Sequence, residues 1–204
     1  MTGLLISYIW GWGSTFRGDF TLCVLLYAGI GIAAHLRAGE RPADIGLRVD
    51  NLGAAARDAF LATMTLGLLL LGAGALLGSL DFPPLALWPR TLRDGIVWGS
   101  LQQYGLLAVY YLRFGELLPG RRDAPLWAAS AIFALLHLPN PFLTIATFGA
   151  GALSCWLYRR TRNLIVLGVM HGVVSFLIVE TLPDSITMGM RVGPGFFRFL
   201  PGLT

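Results

Sequence analysis

The sequence predicts an all-α, polytopic membrane helix bundle of about six transmembrane helices plus interfacial segments, and three observations carry that prediction. Of 204 residues, 55% are hydrophobic and only 13% are charged, against about 25% charged in an ordinary soluble domain. Mean hydropathy is +0.68. A water-soluble ball of this size keeps too much surface in solvent to hide so much apolar side chain, so the bilayer is the economical environment. Six apolar runs follow one another along the chain, and a spanning helix needs roughly 20 such residues.

The elements follow in order. The opening stretch MTGLLISYIWGWGSTF has no basic residue before its apolar part and no small-residue cleavage site, so it does not read as a cleaved signal peptide. Its Trp and Tyr between glycines suit an interfacial segment or a short extra helix. Spans are expected at Phe20–Leu36, Phe60–Leu80, Gly95–Phe114, Leu126–Leu138, Phe142–Tyr158 and Leu164–Leu182. The fourth is short and is followed at once by the turn Pro139-Asn140-Pro141. The last segment, with Phe196, Phe197 and Phe199 among Gly and Pro, reads as an interfacial tail. No internal repeat and no soluble domain stands out, so residues 1–204 read as one membrane domain.

All 15 basic residues are arginine, and the net charge is +4. Their placement orients the chain. Arg37, Arg41, Arg48, Arg57, Arg113, Arg121, Arg122, Arg159, Arg160 and Arg162 flank one set of span ends; Arg17, Arg90, Arg93, Arg191 and Arg198 lie on the other. The positive-inside tendency places the ten in the cytoplasm and both termini outside. Nothing in this pattern resembles a nucleic-acid patch. Cys23 and Cys155 are far apart within apolar runs and read as small buried hydrophobes.

Polar side chains within hydrocarbon are costly and normally face the bundle interior. The third span carries Ser100, Gln102, Gln103, Tyr104, Tyr110 and Tyr111; the fourth ends in His137; the sixth holds His171 and Ser175, with Glu180 near its outer end. Helical spacing puts Ser100, Gln103, Tyr110 and Arg113 on one face. Gln102, Gln103, His137 and His171 are placed to converge in a pocket opening outward. The bland readings are that the glutamines glue helices together, at roughly 0.6 to 2 kcal/mol each, and that the histidines pack. Two of the three histidines on separate spans, with a glutamine pair on a third, favour a site. His35, at the end of the first span, reads as interfacial. Glu180, nine positions past His171, faces the opposite side and is a poor partner for it.

At these residues the chain resembles the CPBP intramembrane proteases, which include CAAX prenyl endopeptidases, bacteriocin-processing proteins and myxosortase-like peptidases. That family's pattern is Glu-Glu-x-x-x-Arg, then Phe-x-x-x-His, then His-x-x-x-Asn or Asp, on successive helices. Here Phe133-Ala-Leu-Leu-His137 and His171-Gly-Val-Val-Ser175 follow in that order, and ADIGLRVDNLGAAARDAF resembles the lead-in to the family's second span. The resemblance covers roughly residues 40–182. It departs at Gln102-Gln103 in place of the glutamate pair, at Leu107 in place of the arginine, and at Ser175 in place of Asn or Asp.

The resemblance implies peptide hydrolysis by activated water, acting on a membrane-anchored or exported protein in a bacterial inner membrane. It puts His137, His171, Gln102 and Gln103 at the catalytic positions, with Ser175 and Tyr104 as candidate substrate contacts. Glutamine cannot take a proton at neutral pH, so the general base falls to His137 or His171. The alternative is a catalytically inactive relative that binds a membrane peptide segment. Two histidines without a carboxylate or thiolate are thin metal ligation, so no metal and no cofactor is expected.

Overall fold

The apolar runs become helices because a helix satisfies its backbone polar groups within one segment, and runs near 20 apolar residues suit helices and not the short strands of a barrel. In a computed structural model that describes residues 1–200, every regular element is helical. Helix α1 is Thr2–Ser7, continued by wide turns over Tyr8–Trp12; α2 is Asp19–Arg37, α3 Leu52–Leu77 and α4 Trp88–Gln103. A stretch of π-type turns, Tyr104–Tyr111, joins α4 to α5, Leu112–Leu117. Then come α6, Ala124–Leu135; α7, Pro141–Thr161; α8, Leu164–Thr181; α9, Asp184–Thr187; and α10, Pro194–Phe199. The final four residues of the expected C-terminal tail lie outside the described part.

Helices α2, α3, α7 and α8 are each long and apolar enough to cross a membrane, and α6 is a shorter apolar helix. The third expected span, Gly95–Phe114, is divided among α4, the wide turns and α5, within the run Trp88–Leu117. Large apolar side chains such as Leu68, Leu69 and Leu76 of α3 point away from the protein, the last 90% exposed. A face like that suits lipid, whereas in water it would mark a sticky patch. The molecule is an integral membrane helix bundle.

Helices α4 and α8 form the closest pair. Gly95 and Gly99 on one face Gly168 and Gly172 on the other, each pair four residues apart. A Cβ at Gly172 would stand 2.6 Å from Ile96 Cα, and one at Gly99 would stand 2.9 Å from the Gly172 backbone nitrogen. Small residues at this spacing let membrane helices meet backbone to backbone, where dispersion and weak contacts replace the missing hydrophobic drive. The contact holds Gln103, one turn past Gly99, beside His171.

Two buried asparagines tie the bundle ends. Asn163 accepts from the Val166 N–H (3.0 Å) and caps α8, while its amide donates to Arg48 O (3.0 Å) and Asn51 Oδ1 (2.7 Å). Asn140 caps α7 through the Leu143 N–H (3.0 Å) and donates to Thr187 O (2.9 Å) and Arg191 O (3.0 Å). Each therefore satisfies a helix N-terminus and two acceptors from other parts of the chain at once.

Around Asn163, Arg160 bonds Asp58 (2.9 Å), Arg159 bonds Asp123 (2.6 Å), and Arg113 bonds Glu40. The loops carrying ten of the fifteen arginines thus meet at one end, as the alternation of spans predicts. At the opposite end, Phe82, Trp88 and Phe176 pack ring against ring.

Two expectations need correction. The single α-helical face through Ser100, Gln103, Tyr110 and Arg113 does not persist. Tyr104–Tyr111 bonds in wider turns, which shift the angular phase. Ser100 packs on Gly168, whereas Tyr110 receives a hydrogen bond from Thr2 (3.1 Å) and Arg113 pairs with Glu40 and Glu116. The N-terminal segment forms the short extra helix that was one of its two expected forms, Thr2–Ser7, and Thr2 bonds it to the bundle. His35 is not simply interfacial: it is buried, and its Nδ1 lies 2.6 Å from Glu40 Oε2.

Candidate active site

Gln103 sits where α4 gives way to the wide turns, a place where π-type backbone often marks function. It is buried, at 2% exposure. Its amide nitrogen donates one hydrogen to Ser154 Oγ of α7 (3.0 Å) and the other to His171 Nδ1 of α8 (3.2 Å). Its Oε1 is buried without a protein donor. The reversed amide would orphan two N–H donors instead of one carbonyl, so this orientation is the better satisfied one.

The consequence reaches the imidazole. An amide N–H can only donate, so His171 Nδ1 accepts and the neutral ring carries its proton on Nε2. His137 has the opposite arrangement. Its Nδ1 lies 2.7 Å from the Phe133 carbonyl, one helical turn earlier. A carbonyl can only accept, so Nδ1 of His137 carries the proton and Nε2 keeps its lone pair. The Phe133 ring stands between the two, 4.9 Å from the His137 ring and 6.4 Å from that of His171, edge-on to each.

The structure therefore brings Gln103, His171 and Ser154 into direct contact and places His137 across Phe133. Gln102 is half-buried and makes no side-chain hydrogen bond among the described residues. Ser175 lies one turn beyond His171, also half-buried. Tyr104 turns away. Its hydroxyl packs on Gly31 of α2, and its ring meets Tyr27 and His35 edge-on at 6.1 and 5.6 Å. It is a packing contact to α2, because the residue after Gln103 already points about 100° round the helix.

Ser154 is the participant that sequence reasoning missed. The available signal was weak: Ser154 is the only serine of the fifth apolar span, which also carries Thr144, Thr147 and Tyr158. Among the described residues, no group of three or more His, Cys, Asp or Glu is placed to hold a metal.

Gln103, His171 and Ser154 thus form one hydrogen-bonded cluster between α4, α7 and α8 of a multi-spanning helical protein, with the His137 ring beyond Phe133. A family model described as type II CAAX prenyl endopeptidase Rce1-like matches residues 106–177. The matched region begins three residues past Gln103 and includes His137, His171 and Ser175. This match supports the CPBP intramembrane protease family for this chain. No curated protein matches, and no solved structure does.

Proposed function

We propose that the protein is an intramembrane endopeptidase in which the two histidines divide the proton work. The observation that carries this reading is the pair of contrasting Nδ1 contacts, to the Gln103 amide nitrogen in His171 and to the Phe133 carbonyl in His137, from which opposite proton placements follow. His137 Nε2, with its lone pair free, takes a proton from water as the water attacks a peptide carbonyl. His171 Nε2–H donates to the carbonyl oxygen as it becomes an oxyanion. His137 then returns the proton to the leaving amine. Gln103 holds His171 in the donating form, and its free Oε1 accepts from a water or a peptide N–H. Gln102 and Ser175 flank the site as substrate contacts. The substrate is a membrane-anchored or exported protein segment, and the setting is a bacterial inner membrane with the pocket facing outward.

A second reading has its own observation. No carboxylate hydrogen-bonds Gln103, His137 or His171 among the described residues. A neutral site of this kind suits capture of an extended peptide without cleavage.

Cleavage of a co-expressed, membrane-anchored reporter separates the two. The peptidase reading expects His137→Ala to lower the rate by about 10²- to 10⁴-fold, the usual weight of a general base. It expects His171→Ala to cost about 10²- to 10³-fold, as for a lost oxyanion donor. A wild type that cuts nothing, alongside a Gln102→Glu/Gln103→Glu variant that does cut, would show that the natural chain binds and does not hydrolyse.

A further inference from the structure

Away from the imidazoles, at the arginine-rich end, a cavity of about 600 Å³ opens between the end of α5, the start of α6 and the loop after α7. Its wall includes Arg121, Arg122 and Arg162 together with Glu40, Asp44 and Glu116. The carboxylates are already engaged. Glu40 pairs with His35 and Arg113, Glu116 with Arg113 (2.7 Å), and Asp44 with Arg41 (3.2 Å). Arg121, Arg122 and Arg162 have no carboxylate partner among the described residues; Arg162 makes only a 3.3 Å hydrogen bond to the Asp44 backbone carbonyl. The wall and its bonded neighbours thus hold five guanidinium groups against three carboxylates.

We propose that this cavity binds a phosphate group through Arg121, Arg122 and Arg162. Guanidinium is always charged, and its planar fork matches two phosphate oxygens, so three unpaired forks around one hollow suit a phosphate better than a carboxylate already competing for them. The site lies at the helix ends, where a lipid phosphodiester stands, and in the cytoplasmic orientation it meets the leaflet richest in anionic lipid. The wall has an apolar side for acyl chains, from Leu112, Leu118 and Pro125. The ionised state of Glu40 is consistent with an anion that must find its own cations. Burial alone would raise its carboxyl, yet the bonds from His35 and Arg113 hold it below the ordinary value.

Native mass spectrometry of the detergent-purified full chain tests this, with phosphatidylglycerol, phosphatidylcholine and inorganic phosphate as separate probes. Wild type retains phosphatidylglycerol over phosphatidylcholine, and Arg121→Gln/Arg122→Gln weakens that retention about tenfold or more, as two lost surface charges require. An Arg90→Gln/Arg93→Gln control at the opposite end leaves it unchanged. Adding Arg162→Gln abolishes it, and an unaltered melting temperature of the double variant shows that the fold is kept. Displacement of phosphatidylglycerol by millimolar inorganic phosphate identifies a free anion as an equal occupant; no displacement identifies the lipid. Equal retention of every probe by wild type and the Arg121/Arg122 variant would overturn the proposal.

Discussion

Ser154 and His171 each take one hydrogen of the Gln103 amide, so that side chain orients an imidazole without touching a proton in transit. That makes Ser154 a positioning residue with a distinctive signature. Ser154→Ala frees one amide hydrogen and lets Gln103 rotate. The expected result is a fall in kcat of about tenfold, the effect of one neutral hydrogen bond of about 1.4 kcal/mol, with KM unchanged and recovery in Ser154→Thr. A change in KM alone would contradict it. At this scale the sequence was informative about residue types and blind to partners. The two histidines stood out as imidazoles in apolar runs, and the glutamine pair as amides there. Which of Gln102 and Gln103 reaches His171 depends on helix phase, and which ring nitrogen is protonated depends on Phe133 O and the Gln103 amide. Neither is written in spacing alone.

Between elements, the α4–α8 contact sets the distance from Gln103 to His171. Gly172→Ala forces a Cβ to within 2.6 Å of Ile96 Cα, so the helices must part. The variant should lose about 1 to 3 kcal/mol, the usual penalty of overpacking, seen as a lower melting temperature in detergent. Gly53→Ala, with nothing near its Cβ, should leave that temperature unchanged or raise it slightly. Asn163→Ala removes the α8 cap and strands a buried loop carbonyl; about 2 to 3 kcal/mol is expected from the two losses together, read by the same melting curve. The helical membrane bundle and its four long apolar helices were legible because apolar length is a composition signal. The wide turns at Tyr104–Tyr111 were not, since no Pro lies within them and their tyrosines fit an ordinary α-helix equally well.

Across the whole molecule, charge sorts the ends and a small network fastens α2 to the rest. Glu40 joins His35 at the end of α2 to Arg113 of α5. Its carboxyl titrates below the ordinary 4.5 in the folded state, the bonds to His35 and Arg113 outweighing burial. The native state therefore holds that proton less readily than the unfolded chain. Stability from Glu40 is complete above pH 4.5 and is lost as pH falls through the lower folded value. A melting series in detergent should show this acid-side loss in wild type, and Glu40→Gln should remove it while melting lower at neutral pH. The grouping of ten arginines was readable from the sequence, but the Glu40 link was not, because it joins positions 73 residues apart. The central claim, that two histidines carry opposite proton placements in one site, is tested most directly by nitrogen-15 NMR of the histidine-labelled protein in nanodiscs, with each ring assigned by mutation. The account predicts His137 protonated at Nδ1 and His171 at Nε2, with the His171 pattern disturbed by Gln103→Ala. Protonation of both rings at the same nitrogen, or a His171 spectrum indifferent to Gln103, would contradict it.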